Sequence, residues 1–186
     1  TLSGRVLGAE ALVRWQHPLR GEVAPAEFIP LCEENGLILP LGEQLLEQAA
    51  QQLAAWRRIG FDGTLSLNVS ARQFVDGDLL GAVRRVVVAT GCDPRQIEFE
   101  ITESMLVGDD SRCLDLMVAL REMGFRFAVD DFGTGYSNLA YLRRYPIDTL
   151  KIDRSFIAGL GTASSIAQLI VTLCEMIEID CVAEGV

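Results

Sequence analysis

Short apolar segments with strand character alternate with helical segments along the whole of this 186-residue chain, and most strand segments carry a polar side chain in or just past their carboxyl end. Strands are expected at 5–15, 65–69, 97–101, 125–129, 149–152 and 180–183, where β-branched and aromatic residues concentrate. Helices are expected at 27–35, 42–59, 78–90, 110–123, 139–144 and 164–177, with Gly36, Gly60, Gly91 and Gly124 standing where four of them should stop. Such alternation buries a parallel sheet beneath helices. The polar residues concerned are Glu10, Asn68, Glu100, Asp130 and Lys151. In a (β/α)8 barrel the carboxyl ends of the strands form the active-site face. A doubly wound open sheet gathers ligands mainly at one switch point, and it is further disfavoured because no Gly-x-Gly-x-x-Gly follows the first strand. The expectation is an α/β chain of the (β/α)8 TIM-like barrel class, with residues 1–186 forming one domain.

The formal charge of −10, without any long basic block, repels a polyanion, so binding to DNA or RNA polymers is not expected. A small anionic substrate would need cations to offset nearby carboxylates. Charged residues interrupt every apolar run well short of the roughly 18 residues that span a bilayer, and no leader pattern opens the chain. Five scattered cysteines without a Cys-x-x-Cys pair read as reduced thiols of a cytoplasmic domain, whether or not the parent protein is membrane-anchored. His17 is the sole histidine and reads as structural, so hydrolytic chemistry must lean on carboxylates and metals.

Asp130 and Asp131 follow the apolar run Phe127-Ala128-Val129. Adjacent residues of an extended strand face opposite ways, so both carboxylates reach one cluster only if the chain bends there. Carboxylates that close raise one another's pKa unless cations neutralise them, and oxygen-only ligands favour Mg2+ or Mn2+. The competing reading is a capping pair in a βα loop. Glu10, set between Ala9 and Ala11, is either a ligand or a solvated strand residue; Asn68 is either an oxygen ligand or a turn former. Glu98 and Glu100 face the same way, while Glu103 is expected in the following loop. Lys151 either orients a water or phosphate oxygen, or pairs structurally with Asp130.

Glu10-Ala11-Leu12-Val13-Arg14-Trp15, Leu67-Asn68-Val69-Ser70-Ala71-Arg72-Gln73-Phe74, Glu100-Ile101-Thr102-Glu103-Ser104, Asp130-Asp131-Phe132-Gly133-Thr134-Gly135-Tyr136-Ser137, Leu150-Lys151-Ile152-Asp153 and Ala183-Glu184-Gly185-Val186 together resemble the EAL-domain cyclic di-GMP phosphodiesterase family. The motifs stand in that family's order and cover the chain nearly end to end. The resemblance implies a barrel incomplete at both ends here, lacking the first strand and the C-terminal part. It implies hydrolysis of cyclic di-GMP to linear pGpG with two ions, Mg2+ or Mn2+, in the complete domain. By similarity, Glu10, Asn68, Glu100 and Asp130 hold one ion, and Asp130 with Asp131 shares in the second. Lys151 contacts the attacking water, Arg14 reaches a substrate phosphate, and Glu103 steadies the loop 132–138. A further family glutamate, one position beyond Glu-Gly-Val, falls past Val186. A homodimer and attached cyclase or sensor modules are expected as partners. The alternative is a catalytically inactive domain of this family that binds cyclic di-GMP as a sensor; the intact ligand positions favour the enzyme.

Overall fold

The computed structural model describes residues 4–106, 111–133, 140–157 and 164–185. These group into two compact units, 1–98 and 99–186.

In the first unit, β1 (Gly8–Ala11) pairs in parallel with β4 (Thr64–Asn68), placing Glu10 opposite Ser66. The segment 5–15, expected as one strand, is instead β1 followed by a hairpin of β2 (Trp15–His17) and β3 (Gly21–Val23). The hairpin turn explains His17: its Nδ1 accepts from the backbone N–H groups of Leu19 and Arg20, a structural role as expected. Helix α1 (Pro25–Asn35) ends at Gly36 in the left-handed region, as the sequence predicts. Helix α2 (Ile38–Arg57) begins earlier than expected and takes Gly42 into its interior. A five-residue helix, α3 (Ala71–Val75), precedes α4 (Leu79–Thr90), which Asp78 caps by accepting from the Gly81 N–H. Helices α2 and α4 pack on one another, with Ala50, Leu53 and Val83 wholly enclosed. After a 3-10 turn at Pro94–Gln96, β5 (Ile97–Thr102) starts in this unit, where its buried Glu98 accepts from Ser66 Oγ at 3.2 Å.

The second unit carries β5, β6 (Arg126–Phe132), β7 (Thr149–Ile152) and β8 (Asp180–Ala183), neighbours in chain order, with β6–β7 and β7–β8 parallel. Between them come α5 (Glu103–Leu106), α6 (Ser111–Glu122), α7 (Ala140–Arg144), α8 (Arg154–Ile157) and α9 (Ser164–Ile177). Phe99 stacks on Phe125 at 5.2 Å and meets Phe127 at 6.0 Å, all three at most 1% exposed. Each such ring contributes on the order of 2–3 kcal/mol by burial. All four residues of β7 are buried, so a lysine among them needs compensation from its neighbours.

Candidate functional site

Lys151 lies on β7 between the enclosed Leu150 and Ile152. Its Nζ meets Glu184 Oε1 at 2.6 Å, Glu100 Oε2 at 2.8 Å and Asp130 Oδ1 at 3.1 Å. These partners come from β5, β6 and the residue after β8, so four consecutive strands converge at their carboxyl ends. Strand register explains the convergence. Val129 stands opposite Leu150, which sets Asp130 beside Lys151. Lys151 stands opposite Val182, so Glu184, two residues on, shares its face. The Glu184 N–H also bonds the Ile152 carbonyl at 3.1 Å. Gly185 then turns the chain at φ +68, where a Cβ would lie 2.6 Å from Arg154 Cβ. Both the backbone and the space there call for glycine.

Burial works against the charge of Lys151, but hydrogen bonds to Glu100 and Glu184 and the charges of Glu100 and Asp130 outweigh it. Its pKa is raised above the ordinary lysine value, and the group stays an ammonium.

The bend expected at Asp130-Asp131 is present. Three steps along β6, from Val129 to Phe132, span two along β7, from Leu150 to Ile152, so one extra residue bulges from the pairing. Asp131 takes φ +53, a left-handed conformation that aspartate tolerates better than most side chains, and its N–H donates to Asp130 Oδ1 at 3.0 Å. The strand thus runs through both aspartates rather than stopping before them. Asp130, Asp131 and Glu184 each offer a carboxylate oxygen, and these atoms all lie within 4.8 Å of one another. Burial, then the charges of Asp130 and Asp153, raise the Asp131 pKa against the pull of Lys151. With Glu100, four carboxylates face a single ammonium, an excess of negative charge that hard dications would relieve.

In the first unit, Asn68 Nδ2 donates to Glu10 Oε1 at 2.9 Å. The register places both on one face of the β1–β4 pair, because Glu10 stands opposite Ser66. The amide engages a carboxylate rather than its own backbone, and its Oδ1 remains as an oxygen donor. Arg14 is about half exposed, donates to the Val13 carbonyl and lies 3.6 Å from Glu22.

Glu103, expected in a loop, is the first residue of α5 and is 8% exposed. Among the described residues neither of its carboxylate oxygens has a hydrogen-bond partner. Burial, then the Glu103 charge, pushes the buried Tyr141 hydroxyl above the ordinary phenol range. Residues 134–138 of the loop that Glu103 is expected to steady lie outside the described residues. Glu184 is the site residue missing from the expected set. Its signal was the one shared by the others, a polar side chain in or just past the carboxyl end of an apolar strand, but its partnership with Lys151 depends on strand register.

The model of the EAL domain family matches residues 1–186. The Cyclic di-GMP phosphodiesterase PA2567 of Pseudomonas aeruginosa is 42% identical across 99% of this chain and 32% of its own length. The Bifunctional diguanylate cyclase/cyclic di-GMP phosphodiesterase MucR of the same organism is 40% identical across 99% of this chain and 27% of its own length. The chain therefore spans about a third or less of these curated relatives. The solved structure titled PaMucR Phosphodiesterase, c-di-GMP complex, superposes with a TM-score of 0.92 at 40% identity, covering 98% of this chain and 76% of that one. This likeness carries the expected α/β, TIM-barrel-like fold. A match over every residue and a fold shared with a solved member establish that the chain belongs to the EAL domain family.

Proposed function

We propose that this domain hydrolyses cyclic di-GMP to linear pGpG with two divalent cations, Mg2+ or Mn2+. The observation that carries the reading is the cluster around Lys151: three carboxylates on one buried ammonium, with Asp131 turned toward the same place by a bulge. An ion pair built only for stability needs one partner; this arrangement keeps carboxylates in excess. The names of the two phosphodiesterase relatives and the cyclic di-GMP bound in the solved relative agree with that substrate.

Every donor in the proposed set is an oxygen, which fits hard dications. Glu10, Asn68, Glu100 and Asp130 would hold one ion on the family pattern, while Asp130, Asp131 and Glu184 offer oxygens for the second. Such ions acidify a bound water and offset charge on a transferring phosphoryl group. Lys151, held as an ammonium, donates hydrogen bonds and orients the attacking water. Arg14 contacts a substrate phosphate. Glu103 positions the loop after the aspartate pair and does not touch the reacting atoms.

We place the domain in the cytoplasm, in keeping with its five free cysteines. Among the described residues no helix is long and apolar enough to cross a membrane. A homodimer, and cyclase or sensor modules in the parent protein, belong to the same proposal, tested by light scattering of the full-length protein. The decisive experiment follows cyclic di-GMP by chromatography with Mg2+, with Mn2+ and with EDTA. Metal-dependent appearance of pGpG supports the enzyme; saturable binding without turnover in either metal would assign the sensor role instead.

A further inference from the structure

Only Val69 and Ser70 separate Asn68, the last residue of β4, from Ala71, the first of α3. A helix of five residues is too short to hold itself by its own hydrogen bonds. Its start is fixed by a reciprocal pair: Ser70 Oγ accepts from the Gln73 N–H at 3.4 Å, and Gln73 Oε1 accepts from the Ser70 N–H at 3.0 Å. Gln73 is only 7% exposed, an unusual degree of burial for a capping glutamine. The far end of its amide rests against α2, where Gly42 leaves room; a Cβ there would lie 1.9 Å from Gln73 Nε2. Gln73 thus ties the turn after Asn68 to a long helix of the same unit.

We propose that Gln73 is a positioning residue for Asn68, fixing the direction in which the carboxamide is presented to a cation. The capping pair sets the path of the chain leaving Asn68, and the bond from Asn68 Nδ2 to Glu10 Oε1 sets the rotation of the amide, so that Oδ1 is the atom offered. The inference rests on the proposed role of Asn68 as a metal ligand.

The test measures Mn2+ affinity of the full-length protein by calorimetry, without reference to turnover. Gln73→Ala is expected to weaken the Asn68-dependent Mn2+ site roughly tenfold, the range for residues that orient a ligand. Gln73→Glu, which keeps the oxygen acceptor for the Ser70 N–H, should stay within about twofold of the parent protein by the same reasoning. Asn68→Ala should weaken the site by itself, and Asn68→Ala with Gln73→Ala should be no weaker than Asn68→Ala alone. That non-additivity is the signature of an effect passing through Asn68. Ser70→Ala, which removes the other half of the pair, carries the same test if Gln73→Ala does not fold. Additive losses, or Gln73→Ala binding Mn2+ as tightly as the parent, would overturn the positioning role while leaving the metal site standing. Unchanged Mn2+ affinity in Asn68→Ala would instead remove the ligand role of Asn68, and this proposal with it.

Discussion

Gly42→Ala sets two known effects against each other, and the structure decides between them. Gly42 sits inside α2 and does not adopt a left-handed backbone. Replacing an interior helical glycine by alanine gains about 1 kcal/mol in helix propensity. Here the new Cβ would lie 1.9 Å from Gln73 Nε2 and 2.8 Å from its Cδ, so the amide must move. That amide is the end of a flexible side chain, but it is buried and its Oε1 is held by the Ser70 N–H. Displacing it breaks half of the capping pair, a loss of roughly 0.5–2 kcal/mol, and crowds a packed interior at a cost of about 1–3 kcal/mol. The net expectation is destabilisation by roughly 0.5–4 kcal/mol. The assay is urea unfolding at unchanged m-value, comparing midpoints. A second background isolates the cause. With Gln73→Ala already present the clash is gone, and Gly42→Ala should stabilise by up to about 1 kcal/mol. Equal effects in both backgrounds, or a more stable Gly42→Ala in the parent protein, would refute the steric argument.

Asp130→Asn should leave circular dichroism unchanged, since the new Oδ1 still accepts from the Asp131 N–H, yet lower cyclic di-GMP turnover more than about 100-fold through loss of a ligand charge. Lys151→Met leaves Glu100, which is 2% exposed, without its countercharge; the unfolding free energy from urea melts in EDTA should fall by about 3–5 kcal/mol, and added Mg2+ should recover part of it. Glu103→Ala should slow turnover while calorimetry finds Mn2+ still bound at the Glu100 site; loss of that binding would make Glu103 a ligand instead. The Asp93 carboxyl is held below the usual range first by its hydrogen bond to Arg95, against a smaller opposing effect of burial. Its folded pKa is depressed, so its stabilising contribution is present at neutral pH and disappears as pH falls below the ordinary aspartate value through the folded one. The difference in urea midpoint between the parent protein and Asp93→Asn should therefore shrink on acidification, and a difference that persists at low pH would contradict it.

The features legible in the amino-acid sequence are those that depend on local pattern. The strands 149–152 and 180–183 and the helix 164–177 appear at the expected bounds because each is an uninterrupted run between residues that break it. The segment 5–15 misled because apolar character continues past Ala11, while the turn to a hairpin lies later, at residues 18–21. The need for a bend at Asp130-Asp131 was legible from two adjacent carboxylates; the means, one bulged residue with Asp131 at φ +53, depends on pairing with β7. The sequence predicts a loop at Glu103 because a helix of four residues leaves no periodicity to detect. Glu184 had the right local signature, yet only the alignment of β8 on β7 shows that it shares a face with Lys151.

That shared face bears on how such a centre is assembled at all. Gathering Glu100, Asp130, Asp131 and Glu184 at neighbouring strand ends is costly, because like charges in a partly buried place repel and resist ionisation. Asp131 shows the strain in its raised pKa. Lys151 reduces the cost by placing one ammonium within 3.1 Å of three of the four carboxylates. Their combined pull keeps it charged in spite of its burial, so the countercharge is permanent at neutral pH. The carboxylates can therefore be assembled by folding, ahead of any cation, and a dication would meet oxygens already within 4.8 Å of one another on Asp130, Asp131 and Glu184. On the proposed function, a dication held by those oxygens would share them with the ammonium, which would leave Lys151 donors for a water or a phosphate oxygen. One buried lysine thus offsets three carboxylates that folding brings together, which accounts for its place on an otherwise apolar strand, and on the proposed function the same ammonium would serve the chemistry.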